Sequence, residues 1–343
     1  MLRNLAIVLV ALAIIIFAAF CVVTAPATVP PSVLATYSPN LPNGREMFYA
    51  GGCPSCHATP EQDDRTRLGG GGAIKTGFGT FYAPNISPDP NDGIGRWQEA
   101  DFITALWKGT SPAGEHYFPV FPYGSYQRMA LADLRDLFAY LKTLPEVAGR
   151  ARPHDMRFPF GFRRLIGGWK FLYLDDIPFR ADPARSEAWN RGAYLVNGPG
   201  HCAECHSPRN LLGGIVARQR FAGGPNPEGD GWIPNITQKA MGAWSEKDIA
   251  YMLETGDAPD GDSVGGGMAQ VVKNTAQLLP EDRAASATVI SGDANDSALA
   301  SASGSRASAA KLRNMPATLI MPRPIWPNGR SVRTADISSP RQA

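Results

Sequence analysis

Two pentapeptides carry the reactive side chains of this chain, Cys53-Pro54-Ser55-Cys56-His57 and Cys202-Ala203-Glu204-Cys205-His206. In each, two thiols stand about one helical turn apart and an imidazole follows on the next residue. That spacing lets the thiols bond the two vinyl-derived carbons on one edge of a porphyrin while the histidine takes the proximal iron position. A structural zinc site would recruit two Cys-x-x-Cys pairs and give the trailing histidine no fixed role. A thioredoxin-like redox pair would not need that histidine. Two complete copies with matching flanks outweigh those readings. The expected cofactors are two covalently bound haem c groups, attached at Cys53, Cys56, Cys202 and Cys205, with His57 and His206 as proximal iron ligands.

The flanks repeat in order. Short amphipathic helices are predicted before the motifs, at Gly44–Ala50 and Arg191–Val196. Pro84-Asn85-Ile86 and Pro234-Asn235-Ile236 follow the two histidines by 27 and 28 residues. A tryptophan and an acidic helix start come next, at Trp97 to Phe102 and Trp244 to Ile249; Ser245 with Asp248 has the form of a capping box. The helices run to Lys108 and Glu254, break at Gly109 and Gly256, and lead through Gly/Pro-rich loops to Met129 and Met268. A thioether on the far side of a haem is a soft ligand that raises the potential of the iron. Because each methionine stands at a matching place before a helix, Met129 and Met268 are the expected distal ligands, although a methionine also fills irregular core gaps.

Other polar residues have weaker claims. His116 is the rival distal ligand, His201 is expected to pack beside a haem edge, and His154 lies in the join. Pro60 or Pro208 could offer the carbonyl that orients a ligating imidazole. Asn85 and Asn235 read as propionate contacts or turn residues, and Arg65, Arg67 and Arg209 as propionate partners or solvated cations.

The whole chain has room for two domains and a leader in 343 residues, and a net charge of +2 excludes a strong pull toward nucleic acid. Cys21 is the only cysteine outside the two motifs, so no disulfide framework exists. Leu5 to Val23 is uncharged and almost wholly apolar, long enough to cross a hydrocarbon core of roughly 30 Å. A cleavable signal has an apolar region of about 7–15 residues, so an uncleaved anchor is favoured and a cleaved signal is the alternative. Arg3 stays inside and the next basic residue is Arg45, which places the remainder across the membrane. The expected divisions are an anchor or signal at 1–24, a Pro-rich tether at 25–43, haem domains at 44–147 and 185–285, an aromatic-rich connector at 148–184 and a tail at 286–343. The connector is expected to pack, with a short helix over Gly161–Lys170. The first domain closes with the amphipathic helix Leu131–Lys142. The tail shows no counterpart of Tyr140-Leu141 and is rich in Ala, Ser and Gly, so it reads as disordered, leaving the second domain without its closing helix.

The stretches Trp189-Asn190-Arg191-Gly192-Ala193-Tyr194-Leu195-Val196, His201 to Asn210 and Phe121-Pro122-Tyr123-Gly124-Ser125-Tyr126 resemble the cytochrome c subunits of membrane-bound bacterial alcohol and gluconate dehydrogenases. The resemblance covers roughly residues 40–285. It implies His/Met-ligated haems that pass electrons from a dehydrogenase partner toward quinone, a cytochrome or an oxidase. The expected fold is all-α, two tandem class I cytochrome c-like domains after an N-terminal transmembrane helix, held at a bacterial inner membrane with the haems in the periplasm. Those subunits typically carry three haem motifs, and this chain has two. The competing functions are a dihaem peroxidase or thiosulfate-oxidising enzyme, which needs one iron with an open position, and a haem subunit of a terminal oxidase.

Overall fold

The computed structural model describes residues 1–229 and 231–292. Helix α1 (Leu2–Val23) has 22 residues, none of them buried, and its most apolar stretch has a mean hydropathy of 3.3. At about 1.5 Å per residue it is long enough to cross a membrane. The first half follows: α2 (Leu41–Ala50), α3 (Cys53–His57), strands β1 (Ala73–Thr76) and β2 (Gly79–Tyr82), then α4 (Glu99–Lys108), α5 (Tyr123–Tyr126) and α6 (Leu131–Leu141). The join contributes β3 (Asp155–Met156) and α7 (Arg163–Tyr173). The second half comprises α8 (Glu187–Asn197), α9 (Ala203–His206), β4 (Gly224–Pro225), β5 (Trp232–Ile233), α10 (Gln238–Met241), α11 (Glu246–Thr255), α12 (Gly266–Thr275) and α13 (Pro280–Ser291).

The chain is mainly helical, as expected, but not purely so. Two small antiparallel sheets, β1-β2-β3 and β4-β5, fold back the loops that follow the haem motifs. The β-branched and aromatic residues Ile74, Thr76, Thr80, Phe81 and Tyr82 suit a hairpin, and β3 extends it from the join through Gly79 opposite Met156.

Each half is built on one close helix crossing. At Gly44 in α2, an added Cβ would fall 2.2 Å from the Asp136 carbonyl oxygen of α6. At Gly192 in α8 it would fall 1.8 Å from the Ala285 carbonyl oxygen of α13. Only glycine allows backbones to approach that closely. Helix α13 corrects the reading of residues 286–291 as unpacked. Ala287 and Val289 are fully buried and Ile290 nearly so, in the same core as Trp189, Ala193 and Ile249. Val289 meets Gly192 as Tyr140 meets Gly44, so Val289-Ile290 stands where Tyr140-Leu141 stands. The helix closes the half with small residues, which the tight crossing requires, and an aromatic landmark is not needed. The expectation for 293–343 lies outside the described residues.

The halves share a core. Tyr194, Leu195 and Leu278 of the second half pack with Met47, Phe48 and Leu137 of the first. The Tyr194 hydroxyl donates to the Asp133 carboxylate at 2.5 Å and accepts from the Ala130 amide at 3.1 Å. The Glu46 carboxylate accepts the Leu279 amide at 2.9 Å. Burial, helped by the neighbouring Asp282, lifts the Glu46 pKa to about 7, with the Leu279 hydrogen bond and Arg191 opposing. The folded state therefore binds this proton more tightly than the unfolded chain. The stability it confers is complete below the unfolded value of 4.5 and is lost as pH rises through about 7. A thermal midpoint that falls between pH 5 and pH 8, with a shallower fall in Glu46→Gln, is the expected result.

The join is ordered, but its aromatic side chains pack only in part: Trp169, Tyr173 and Phe179 are half-buried, whereas Phe158, Phe160, Phe162 and Phe171 are exposed. Lys170 of α7 is buried and its Nζ donates to the carbonyls of Lys108 and Gly109 at 2.7 and 2.6 Å, occupying acceptors that the C-terminus of α4 leaves open. It also lies 3.1 Å from His116 Nδ1, and His116 Nε2 lies 2.9 Å from the Thr24 carbonyl at the end of α1. This chain of contacts ties the exit of α1 to the first half through α7.

Candidate haem centres

Each Cys-x-x-Cys-His run forms a single helical turn, α3 in one half and Cys202 with α9 in the other. The residue before the first cysteine is left-handed in both: Gly52 at φ 62° and His201 at φ 40°. The turns are closed identically, by Gly70 N–H donating to the His57 carbonyl and Gly223 N–H to the His206 carbonyl, both at 2.9 Å. This places both thiols and the imidazole on one short surface.

The imidazoles are oriented by the repeated Pro-Asn-Ile segments. His57 Nδ1 lies 2.8 Å from the Pro84 carbonyl and His206 Nδ1 lies 2.8 Å from the Pro234 carbonyl. A donating Nδ1–H leaves Nε2 as the free lone pair, which is the tautomer an iron ligand requires. Pro60 and Pro208 do not have this role. The loop must travel further, and it is pinned by Ile86 N–H on the Leu68 carbonyl and Ile236 N–H on the Phe221 carbonyl. The signal was present in the sequence as the matched spacing from each histidine. Asn85 and Asn235 are turn residues. Asn85 Nδ2 donates to the Val147 and Gly149 carbonyls at 2.6 and 2.9 Å, and Asn235 Oδ1 accepts the Thr237 amide at 2.8 Å.

The electrostatics suit an apolar, covalently held group. Burial pushes the Cys53 and Cys205 thiols up to about 12 and that of Cys202 up to about 11. These are not the acidic thiols of a dithiol redox pair. Burial holds the His57 and His206 imidazoles below their usual range, against the proline carbonyls, which keeps them neutral and ready to ligate. Both terminal nitrogens of Arg65 and one of Arg220 are buried with no protein partner, as carboxylate-bearing propionates would require. Arg209 is committed to Glu204 at 2.6 Å and to the Gly213 carbonyl at 2.8 Å. The residues present fit haem.

The two methionines are less alike than their places in the sequence imply. The loops after α4 and α11 open with the same small bridge, Thr110 opposite His116 and Asp257 opposite Ser263. Tyr117 N–H then donates to the Gly109 carbonyl as Val264 N–H does to the Gly256 carbonyl. Counting four residues on from these amides, Phe121 corresponds to Met268, and Met129 lies eight residues further. Met129 is fully enclosed in the first core, and Trp107 Nε1 donates to its carbonyl at 3.1 Å. Met268 is half-buried in the first turn of α12 against the second core. His116, bound to Thr24 and Lys170, is occupied elsewhere.

The two attachment turns abut, which the sequence did not disclose. A Cβ added at Gly52 would stand 3.5 Å from His201 Nε2, and the His201 ring meets Tyr126 edge-on at 5.7 Å. The Tyr126 hydroxyl donates to the Gly51 carbonyl at 2.7 Å. Each motif is also held by the other half. Asn274 of α12 donates to Ser55 Oγ at 2.7 Å, and Ser125 of α5 donates to Glu204 Oε1 at 2.9 Å. Burial would raise the Glu204 pKa, but the Arg209 charge and the hydrogen bonds from Arg209 and Ser125 outweigh it and hold the carboxylate low. The roles of Ser125, Glu204 and Asn274 are invisible in the sequence because a contact between halves leaves no periodic trace.

No protein-family model matches the chain. A dihaem c-type cytochrome of Cereibacter sphaeroides is 48% identical over 283 residues, covering 82% of this chain and 95% of that protein. The chain belongs to the dihaem c-type cytochromes. Covalently bound haem c is the cofactor of this cytochrome. It is also similar to the fructose dehydrogenase cytochrome subunit of Gluconobacter japonicus, 32% identical over 257 residues, and to the cytochrome c subunit of the quinone-dependent alcohol dehydrogenase of Gluconobacter oxydans, 34% identical over 241 residues. These alignments cover 73% and 67% of the cytochrome but only 52% and 49% of those relatives. The chain therefore spans about half the length of these two dehydrogenase subunits.

Proposed function

We propose that the protein relays electrons, one at a time, from a dehydrogenase partner to a quinone, cytochrome or oxidase of the respiratory chain. The observation that carries this reading is the pair of abutting Cys-x-x-Cys-His turns, each with its histidine held by a proline carbonyl. Cys53, Cys56, Cys202 and Cys205 hold the two groups covalently. His57 and His206 are the proximal ligands, and Met129 and Met268 the distal ones. Bound haem supplies a reversible one-electron Fe(III)/Fe(II) couple. The chain fixes the separation of the two sites through Gly52, Tyr126 and His201, and the shared core around Tyr194 keeps them from moving apart. Each half is a class I cytochrome c-like domain, at 44–147 and in the segment beginning at 185. Helix α1 anchors the protein in the inner membrane, with both haem domains in the periplasm. Relatives that carry dehydrogenase names support the choice of donor.

A second reading, a dihaem redox enzyme, is favoured by Phe121 standing where the second half has Met268, since a haem without a distal ligand is open to substrate. Adding peroxide or thiosulfate to the oxidised holoprotein separates the two. A relay leaves both optical spectra unchanged, whereas ligand-induced shifts at one haem would make the protein an enzyme.

A further inference from the structure

Helix α7 turns an apolar face outward beside the exit of α1. Leu165 and Leu172, seven residues apart on one face, are exposed, Leu172 by 61%. The turn that leads into the helix adds Phe160, Phe162 and Phe158, the last 86% exposed. The Phe158 and Phe162 rings pack edge-on at 5.9 Å, which joins this turn to the start of the helix. The opposite face of α7 is the buried one, with Lys170 capping α4 and Gly167 so close to Thr24 that a Cβ would fall 2.6 Å from the Thr24 side chain. Arg164, on the flank between the two faces, donates to the Cys21 carbonyl in the last turn of α1. The outward face of α7 is therefore level with the end of the membrane-length helix.

We propose that α7 and the 158–162 turn lie in the surface layer of the bilayer that α1 crosses, with phospholipid acyl chains covering Leu165, Leu172 and the three phenylalanines. The inference rests on reading α1 as a membrane anchor. An amphipathic helix in this position buries its apolar face about 5–10 Å into the headgroup and acyl boundary, with Phe and Leu on that face and arginines on the polar side. Arg157 and Arg164, both exposed, supply cations at the level of the lipid phosphates, whereas Arg163 is turned inward to the His116 carbonyl. The 25–43 segment is packed on the first half and is not the free tether expected, since Val29 is buried and its N–H donates to Thr104 Oγ1 at 2.9 Å. One spanning helix alone still leaves the tilt of the haem halves open. A second contact through α7, which is fastened to α4 by Lys170, fixes which side of the first half faces the membrane.

The test uses the full-length holoprotein with Cys21→Ser, reconstituted in phosphatidylcholine/phosphatidylglycerol vesicles. A nitrobenzoxadiazole fluorophore is placed on a single introduced cysteine, and doxyl-labelled lipids serve as quenchers. The positions are Leu172→Cys and Leu165→Cys in α7, Ile14→Cys in α1 and Tyr251→Cys on the exposed face of α11, each checked for unchanged haem content. Labels at 165, 172 and 14 are expected to be quenched several-fold more strongly than the label at 251. Quenching at 14 with the α7 labels behaving like 251 overturns the inference, leaves the anchor intact and frees this face for a protein partner. No quenching at 14 overturns the anchor reading and the inference with it.

Discussion

Replacing Ile290 with alanine destabilises the second half by about 2–4 kcal/mol, and ending the chain after Ala285 removes that half's fold and its haem. Helix α13 supplies Ala287, Val289 and Ile290 to a core that otherwise consists mainly of α8 and α11. Burying one Val or Ile side chain contributes about 1.5–3 kcal/mol, so losing both approaches the whole stability of a small domain. The Arg191–Asp282 pair at 2.6 Å would then be held by a helix with no hydrophobic partner beneath it. Thermal unfolding of Ile290→Ala in the full chain checks the first statement. Haem stoichiometry, falling from two to one per chain in the shortened protein, checks the second. A shortened protein that keeps both haems would show that the half closes without α13.

Replacing Met129 with alanine lowers the midpoint potential of one haem and leaves both covalent attachments intact, and Met268→Ala does the same to the other. The axial ligand sets haem potentials over a range of about 0.8 V, and losing a thioether removes the ligand that favours Fe(II). The two variants should differ in their structural cost. Met129 is enclosed in the first core and its loss also opens a cavity, whereas Met268 is half-buried and Met268→Ala disturbs little else. Phe121→Met adds a discriminating experiment, because Phe121 occupies the place that Met268 holds in the second half. If Met129 is the ligand, Met129→Ala shifts the potential, and Phe121→Met introduced into that background restores it. If Met129→Ala leaves the titration unchanged, Met129 is a core residue and the first haem is open on its distal side.

Much of this was legible in the sequence for a physical reason. Covalent haem attachment needs fixed residue types at fixed spacing, so Cys53, Cys56, His57 and their counterparts stand out without a structure. The helix starts at Trp97 and Trp244 and the stops at Gly109 and Gly256, both left-handed in the structure, follow from capping chemistry that acts over a few residues. Three features were not legible. The closing helix α13 was hidden because a tight crossing at Gly192 selects Ala and Ser, the same residues that fill low-complexity segments. The offset between Met129 and Met268 was hidden because both stand in Gly/Pro-rich loops before a helix, and only the matched bridges at Thr110 and Asp257 set the register. The abutment of Gly52 and His201 joins residues far apart in the chain, which no local pattern records.

A relay of this kind requires two distinct low-spin haems, side by side in one rigid protein, that exchange single electrons. A redox titration of the purified full-length holoprotein, followed by optical absorption and by EPR at each poised potential, addresses that requirement most directly. Two separable one-electron steps are expected, both between low-spin forms with histidine–methionine signatures, with the two potentials assigned by Met129→Ala and Met268→Ala. A high-spin signal from one haem in the resting protein, or a single haem per chain, would contradict the relay.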